Sequence, residues 1–563
     1  MSFALQSAAV GPLPIINHYL DRLRLPALLA RYLPPPDVRS CLDPAVTLTA
    51  LLRCLIVERS PLYSVIQWAS TIHPVLLGCS VDQLSELNDD RIGRALDRLF
   101  DADRAALLTD LVVRMVREFS VPLKQFHNDS TTISFRGQYN QADGTPLRGH
   151  PTRKITFGHN KDHRFDLKQL LWILTVSDEG VPVQFKTADG NVADVDTHLE
   201  TWTTLCELVG SPDFLYVADS KLCCRSTLRI IRQQGGRFIT VLPRSRREDS
   251  LFRRSLIEQR PQWQELVSYP PRLKNGAPDV VRFIRSPIPD PDGFRLLWFH
   301  SSAKQERDVA NRAVMLARTI GELECLKAKV EGPRSRFTTQ EGIAERVDQI
   351  LKHRGADRWI TYRIDTVSQE IFRQERRGRS GSATRYRRIV KTRFTLGWTA
   401  VEKNIEEDAQ CDGVFPLLTN CMAMPVLQIL EAYRRKQPLI EKRHELLKTV
   451  LRAAPVYLKN VGRVEAFLLV EYIALTVHAL IERDIRSAMT RRGLKELLVY
   501  PEDRECRAPT ANRIFECFAP LQYHRFIKGK RATQVFPPEL TPLQQQICEL
   551  LSVPATRFGE DLR

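Results

Sequence analysis

No CxxC pair occurs among the 12 cysteines of this 563-residue chain, and Cys223 and Cys224 are adjacent and so poor joint ligands. Cys411 and Cys421 have no matching histidine pair, so a structural zinc centre is not expected. The scattered thiols read as small core residues in a reducing cytoplasm. The opening stretch MSFALQSAAVGPLP lacks the basic and apolar regions of a signal peptide. A long apolar run is missing as well: the most apolar stretch, AFLLVEYIALTVHALI at 466–481, is broken by Glu471 and His478. It falls short of the roughly 20 residues that a bilayer span needs, which predicts a buried helix and no membrane partner. Acidic charge is also in deficit. Lysine and arginine total 83 against 66 acidic residues, a formal charge of +17. That excess favours a polyanionic partner through phosphate neutralisation and counterion release, with nucleic acid first among the candidates.

A length of 563 residues with 43% apolar content exceeds one ordinary domain. Residues 1–118 carry helical apolar spacing, in INHYLDRLRLPALLARYLPPP and again from Val46 to Phe100, and predict an α-helical N-terminal domain. Recognition of DNA ends and simple packing on a neighbouring domain are both open for it. After Ser120 the texture changes. The segment LKQFHNDSTTISFRG, the run LLWILTV and VPVQFKT after the turn SDEG read as three strands. The helical stretch DVDTHLETWTTLCELVG, the run DFLYVADS, a helix around CCRSTLRIIRQQ and the strand RFITVLP follow. The order βββ-α-β-α-β predicts an α/β core with a mixed sheet resembling ribonuclease H, split into 119–244 and 411–500. Residues 245–410 turn polar and irregular, with proline-rich SYPPRLKNGAPD and RSPIPDPDG, and read as an inserted mixed α/β domain. A helical C-terminal region ends in an extension, 501–563.

Asp129 sits inside a strand-like run and Asp219 ends an apolar one, both positions where aspartate is disfavoured unless its charge is compensated. A divalent cation would compensate both; each is alternatively an ordinary turn or cap residue. In LIEKRHELLKTV, which follows Pro438, Glu441, Glu445 and Lys448 share one helix face. That face suits either a metal site or solvent. Within the insertion, seven arginines lie between Arg373 and Arg388, interspersed with glycine and serine. They read as a flexible basic loop, with Arg376, Arg377, Arg379, Arg385, Arg387 and Arg388 placed to grip phosphate in bidentate fashion. Trp398 beyond them is either a stacking platform for an unpaired base or a core residue.

HNDST, VADSK and EKRHELLK, in this order and spacing, resemble the three catalytic signatures of DDE transposases of bacterial insertion sequences, in the branch with a large insertion before the glutamate. The resemblance implies metal ligation and catalysis by Asp129, Asp219 and Glu441, with two Mg²⁺ or Mn²⁺ ions per site. It further implies double-stranded DNA partners (terminal inverted repeats and target), a homodimer on paired ends and a cytoplasmic, nucleoid-associated protein. Lys448 and Lys221 are expected at DNA phosphate, with His127 and Lys221 beside the aspartates able to steer the scissile phosphate or outer-shell geometry. The family's glutamate belongs to a tyrosine, arginine, glutamate, lysine signature with two, three and six residues between. Lys448 fits the last gap, but four positions before Glu441 stands Gln437, seven before stands Arg434, and Tyr433 is one residue further off. Lys436 or Arg435 is the expected substitute for the arginine, and Glu445 the fallback acid. Two other readings keep the fold: a nuclease without strand transfer, and an inactive or domesticated DNA-binding protein.

Overall fold

A computed structural model of the chain describes residues 3–35, 42–58, 61–259, 261–271, 276–451, 458–502, 504–528 and 531–562. Of the segments singled out above, residues 36, 59–60 and 272–275 lie outside the described residues. The chain divides into two compact units, Met1–Thr240 with Thr419–Arg563, and Val241–Leu418.

The first unit is built on five strands. β1 (Gln125–Phe135), β2 (Lys168–Ser177) and β3 (Pro182–Ala188) run antiparallel in succession, while β4 (Leu215–Ala218) and β5 (Arg237–Val241) run parallel to β1, in spatial order β3-β2-β1-β4-β5. Helices α1 (His198–Val209) and α2 (Arg225–Gln233) make the two crossovers. The element order is the one expected. β2 is buried along nearly its whole length, which is why it reads as a continuous apolar run, not an alternating one. Helix α3 (Gln437–Glu445) packs on β1 and β2.

The centre of this unit is helix α4 (Val461–Arg491), capped by Asn460, whose Oδ1 accepts from the Arg463 N–H at 3.1 Å. It is long and apolar enough to cross a membrane, yet 94% of its most apolar window is buried inside the protein. It packs on the N-terminal helices Leu13–Arg22, Pro44–Val57 and Asp89–Asp101, on β3, and on the C-terminal helix Pro542–Leu551. The helices of 13–119 therefore share the core of the first unit and do not form a separate body.

Two expectations need correction. The N-terminal region is not all helix: Phe3–Ala9 is a strand, paired antiparallel with Gln522–Lys528 from Phe3↔Lys528 to Ala9↔Gln522. It ends where Gly11 adopts a positive φ of 51° and Pro12 and Pro14 open the first helix. The C-terminal extension likewise carries a hairpin, because Gln522–Lys528 also pairs with Arg531–Phe536.

In the second unit, Gln264–Tyr269, Asp279–Arg285 and Arg295–Ser301 form an antiparallel sheet, joined at its inner edge by Val414–Thr419. Helices Ser302–Glu331 and Gln340–Arg354 pack with the base of a hairpin around Leu323, Ile343, Val347, Ile360, Phe394 and Leu396. The hairpin strands, Ile360–Gln374 and Tyr386–Ala400, are 15 residues each and pair without a break. Of the arginine-rich segment 373–388, residues 375–385, with Arg376, Arg377, Arg379 and Arg385, connect the two strands, while Arg373, Arg387 and Arg388 lie in the ribbon itself. Trp398 packs against the unit's apolar cluster beneath the Lys327 ammonium, 5.8 Å from the ring centre, which makes it a core residue and not an open stacking platform.

Candidate active site

β1 and β4 pair in parallel with Asn128 opposite Ala218. Asp129 and Asp219 are each the next residue, so they stand side by side on strands about 4.8 Å apart, despite 90 residues of intervening sequence. β4 ends there because Asp219 caps the short turn Ser220–Leu222, its Oδ1 accepting from the Lys221 N–H at 2.9 Å. The Thr240 hydroxyl of β5 donates to the Asp219 carbonyl at 2.6 Å and ties the end of β4 to its neighbour. Asp129 Oδ1 accepts from the Ser130 N–H at 2.8 Å and lies 3.8 Å from Lys161 Nζ, while His444 Nδ1 is 3.4 Å from its Oδ2. Burial alone would raise the Asp129 carboxyl. The His444 contact, the Lys161 charge and the Ser130 N–H outweigh it, and the group is held below the usual carboxylate range.

Alternation along β1 puts His127 and Asp129 on the same face, toward α3. On α3 the residues Gln437, Glu441 and His444 fall at i, i+4 and i+7 and form one stripe. The His127 Nδ1–H donates to Gln437 Oε1 at 3.0 Å, Gln125 Nε2 donates to His127 Nε2 at 2.9 Å, and Gln437 Nε2 donates to the Asn128 carbonyl at 3.2 Å. Gln437, four positions before Glu441, thus locks the helix to β1. His127 is fully buried, and burial, with the Lys436 charge behind it, lowers its pKa to about 4. It is a neutral strut beside Asp129, bonded to Gln125 and Gln437, a position that suits the outer-shell role of the two expected of it. Arg435 pairs with Glu431 at 2.9 Å and is largely exposed, so it does not replace the missing arginine.

Glu441 lies near enough to Asp129 to feel its charge. Much of its side chain is open to solvent, yet burial of the carboxyl end, followed by the negative charge of Asp129, pushes its pKa up, against a smaller opposing effect of His444. Glu445, the fallback acid, is exposed. Among the described residues no three carboxylate, imidazole or thiol groups close tightly round a single point.

Tyr433 completes the site. The helical segment before α3 contains a π turn, Ala432–Lys436. A π turn accommodates one extra residue in an α-helix. At about 100° per residue, the eight-residue gap from Tyr433 to Glu441 would leave the two side chains roughly 80° apart in a regular helix, whereas a seven-residue gap leaves them about 20° apart. With the extra residue absorbed, Tyr433 returns to the face of Glu441. Burial raises the pKa of its phenol first, and then the charges of Asp219, Glu441 and Asp129 in that order, so it stays protonated. Sequence spacing alone put Tyr433 out of register, and the π turn is the signal it lacked.

The site also gathers Lys161, which sequence reasoning passed over. The loop 160–162 is fastened to β1 by Asn160 Nδ2 donating to Ser134 Oγ at 3.1 Å and the Lys161 N–H donating to Thr132 Oγ1 at 3.2 Å. Lys448, expected at phosphate, is held by Asp162 of that loop at 2.6 Å. The Lys221 side chain is exposed beside Asp219. Arg376, Arg377, Arg379, Arg385, Arg387 and Arg388 are exposed on the hairpin of the second unit.

Deleting Arg435 from the π turn is expected to keep Tyr433 on the face of Glu441, since a regular helix then spans seven residues between them. Inserting an alanine after Arg435 should turn it away by about 100°. In a Mg²⁺-dependent DNA cleavage assay the deletion should stay within about fivefold of wild type and the insertion fall by about 100-fold. Equal loss in both proteins, with folding intact, would mean that the turn is not a register device.

Residues 5–113 match a family described only as a domain of unknown function (DUF4277). No curated protein matches the chain. Among solved structures, the chain is similar to a piggyBac transposase in a synaptic complex with hairpin DNA, at 7% identity, over 99% of this chain and 84% of that one, with a TM-score of 0.35, too low to establish a common fold.

Proposed function

We propose that the chain is a DDE-type transposase of the insertion-sequence kind, which cuts double-stranded DNA at the ends of a mobile element and joins the freed 3′ ends to target DNA. The observation that carries this reading is the convergence of three acids on one tyrosine. Asp129 and Asp219 stand at matching register on adjacent parallel strands, Glu441 on the helix packed over β1 feels the charge of Asp129, and Tyr433 feels the charge of all three. The donor set is all hard oxygen, which suits Mg²⁺ or Mn²⁺. Asp129, Asp219 and Glu441 are the residues that would hold such ions. Bound there, a pair of divalent cations supplies Lewis-acid activation of an attacking oxygen and stabilisation of the leaving 3′ oxygen.

The protein's own part is preorganisation. His444, Lys161 and the Ser130 N–H keep Asp129 ionised and oriented, the Lys221 N–H fixes one Asp219 oxygen, and Tyr433 remains a neutral phenol able to donate a hydrogen bond. Hydrolysis and strand transfer are both in-line displacements at phosphorus and differ only in the attacking oxygen, so one such site serves both. A protein engaging paired ends would act as a homodimer.

The test is incubation of the full-length protein with a labelled duplex bearing the DNA that flanks its gene, plus supercoiled target, with and without Mg²⁺ or Mn²⁺. Metal-dependent nicks carrying 3′-hydroxyls and strand-transfer products together support the transposase. Nicks without joining indicate a nuclease on the same site, and binding without either overturns catalysis.

A further inference from the structure

The long hairpin of the second unit carries most of its basic charge on one face. Strict pairing from Ile360↔Ala400 to Gln374↔Tyr386 assigns every side chain to a side. One face bears, from base to tip, Arg363, Arg393, Lys391, Arg387 and Arg373. Arg363 pairs with Asp365 at 2.9 Å, whereas the other four make no ion pair among the described residues. The opposite face carries Tyr362, Ile364, Phe394, Leu396 and Trp398 at its base, which enter the apolar cluster, and Phe372, Val390, Tyr386 and Arg388 farther out. Arg388 is the only cation on that distal face, and Glu370 neutralises it.

Beyond the Thr366↔Phe394 pair the ribbon leaves the cluster. Val367, Phe372, Tyr386 and Val390 are 47–60% exposed. The eight residues from Val367 to Gln374 extend about 27 Å from the apolar support. A protruding ribbon with all of its unneutralised charge on one side has a definite complement, a polyanion with regularly spaced charges. Two-residue steps along a strand advance about 6.8 Å, so Lys391 stands one step from Arg393 and Arg387 two further steps on, at about 6.8 and 20 Å. Cations set at such intervals along one face suit the dense negative charge of a nucleic-acid phosphate backbone.

Resting on the transposase reading above, we infer that this ribbon is an arm that lies along the phosphate backbone of duplex DNA by the face bearing Arg373, Arg387, Lys391 and Arg393. The connecting-loop arginines Arg376, Arg377, Arg379 and Arg385 extend its reach, and Arg388 takes no part.

The measurement is fluorescence anisotropy of the full-length protein on a labelled 30-base-pair duplex of arbitrary sequence, titrated at KCl concentrations from 50 to 200 mM. The Arg387→Gln/Lys391→Gln/Arg393→Gln triple variant should reduce the slope of log affinity against log salt by about 2.7, at about 0.9 per phosphate lost, and weaken binding by about 10- to 100-fold at 100 mM. Arg388→Gln and Phe372→Ser should each bind within about twofold of wild type with an unchanged slope. All these side chains are exposed or half-exposed, so an unchanged thermal transition is expected and controls for folding. A triple variant that keeps the wild-type slope overturns the arm, as does an Arg388→Gln loss equal to that of the triple. Metal-dependent cutting by a wild type whose triple variant binds equally well would sink the arm alone, whereas a wild type that neither binds nor cuts duplex DNA removes the transposase reading with it.

Discussion

Asp129→Asn and Asp219→Asn are each expected to lose about 10³-fold or more in Mg²⁺-dependent DNA cleavage, whereas Glu445→Gln should stay within about threefold of wild type. The magnitude follows from what a bridged cation contributes, several kcal/mol of transition-state charge stabilisation, with each 1.36 kcal/mol worth a factor of ten. The two aspartates occupy equivalent register positions on neighbouring strands, so neither can substitute for the other. Asparagine keeps the volume and can still accept the Ser130 N–H at position 129 or the Lys221 N–H at position 219, so the loss would reflect charge and not collapse of the strand ends. Glu441→Gln should lose activity like the aspartates. Single-turnover cleavage of a labelled end duplex, with end binding and thermal transitions checked for each variant, reads the result. Activity retained by Asp219→Asn, or lost in Glu445→Gln and kept in Glu441→Gln, would move the site elsewhere.

The aspartates were legible in the sequence because each breaks a local rule, a charge inside or at the end of an apolar strand, and a broken local rule marks a functional position. Strand order was legible for a related reason, since runs such as LLWILTV and DFLYVADS are too apolar to lie anywhere but a buried sheet. What the sequence could not show depends on structure between distant segments. Tyr433 looked one residue out of place because spacing was counted on a regular helix, and the π turn changes the count locally. Gln437 looked like a lost arginine; its partners His127 and Asn128 lie about 310 residues earlier in the chain, and only the packed helix reveals it as a clamp. The arginine-rich stretch read as a loop because glycine and serine dominate its middle. The flanks that zip into a ribbon alternate polar with apolar residues weakly, and pairing, not propensity, specifies them. The strand Phe3–Ala9 was missed for the same reason, its partner being more than 500 residues away.

The helix that carries Glu441 is held by a second device, and removing it is expected to cost about 3–5 kcal/mol of stability. Arg443 Nη1 lies 2.9 Å from Glu482 Oε2, and the two side chains are only 5% and 9% exposed. Arg443 Nε also donates to the Gly180 carbonyl at 2.9 Å, in the turn between β2 and β3. Gly180 adopts a φ of 77°, and a side chain there would press on Leu439 of the same helix. The second Glu482 oxygen accepts from the Ala511 N–H at 3.3 Å, so the ion pair fastens α3 to α4 and both to the sheet. Arg443→Met leaves Glu482 buried without its closest counter-charge, with Arg486 3.5 Å away, His478 and the Ala511 N–H remaining, and an under-compensated buried carboxylate is costly. Burial raises the Glu482 pKa, but Arg443, Arg486 and His478, with the Ala511 N–H, bring it below the ordinary value. A depressed carboxyl adds stability above its unfolded pKa of about 4.3 and loses it as pH falls through the folded value. In Arg443→Met the same carboxyl moves upward, so the deficit against wild type should be full at pH 7 and shrink on acidification toward pH 4. Arg443→Met/Glu482→Leu removes both charges and should recover most of the loss. Chemical denaturation at pH 7 and pH 4.5 reads these outcomes, and a deficit independent of pH, with no recovery in the double variant, would show that the arginine acts by packing and not by its charge.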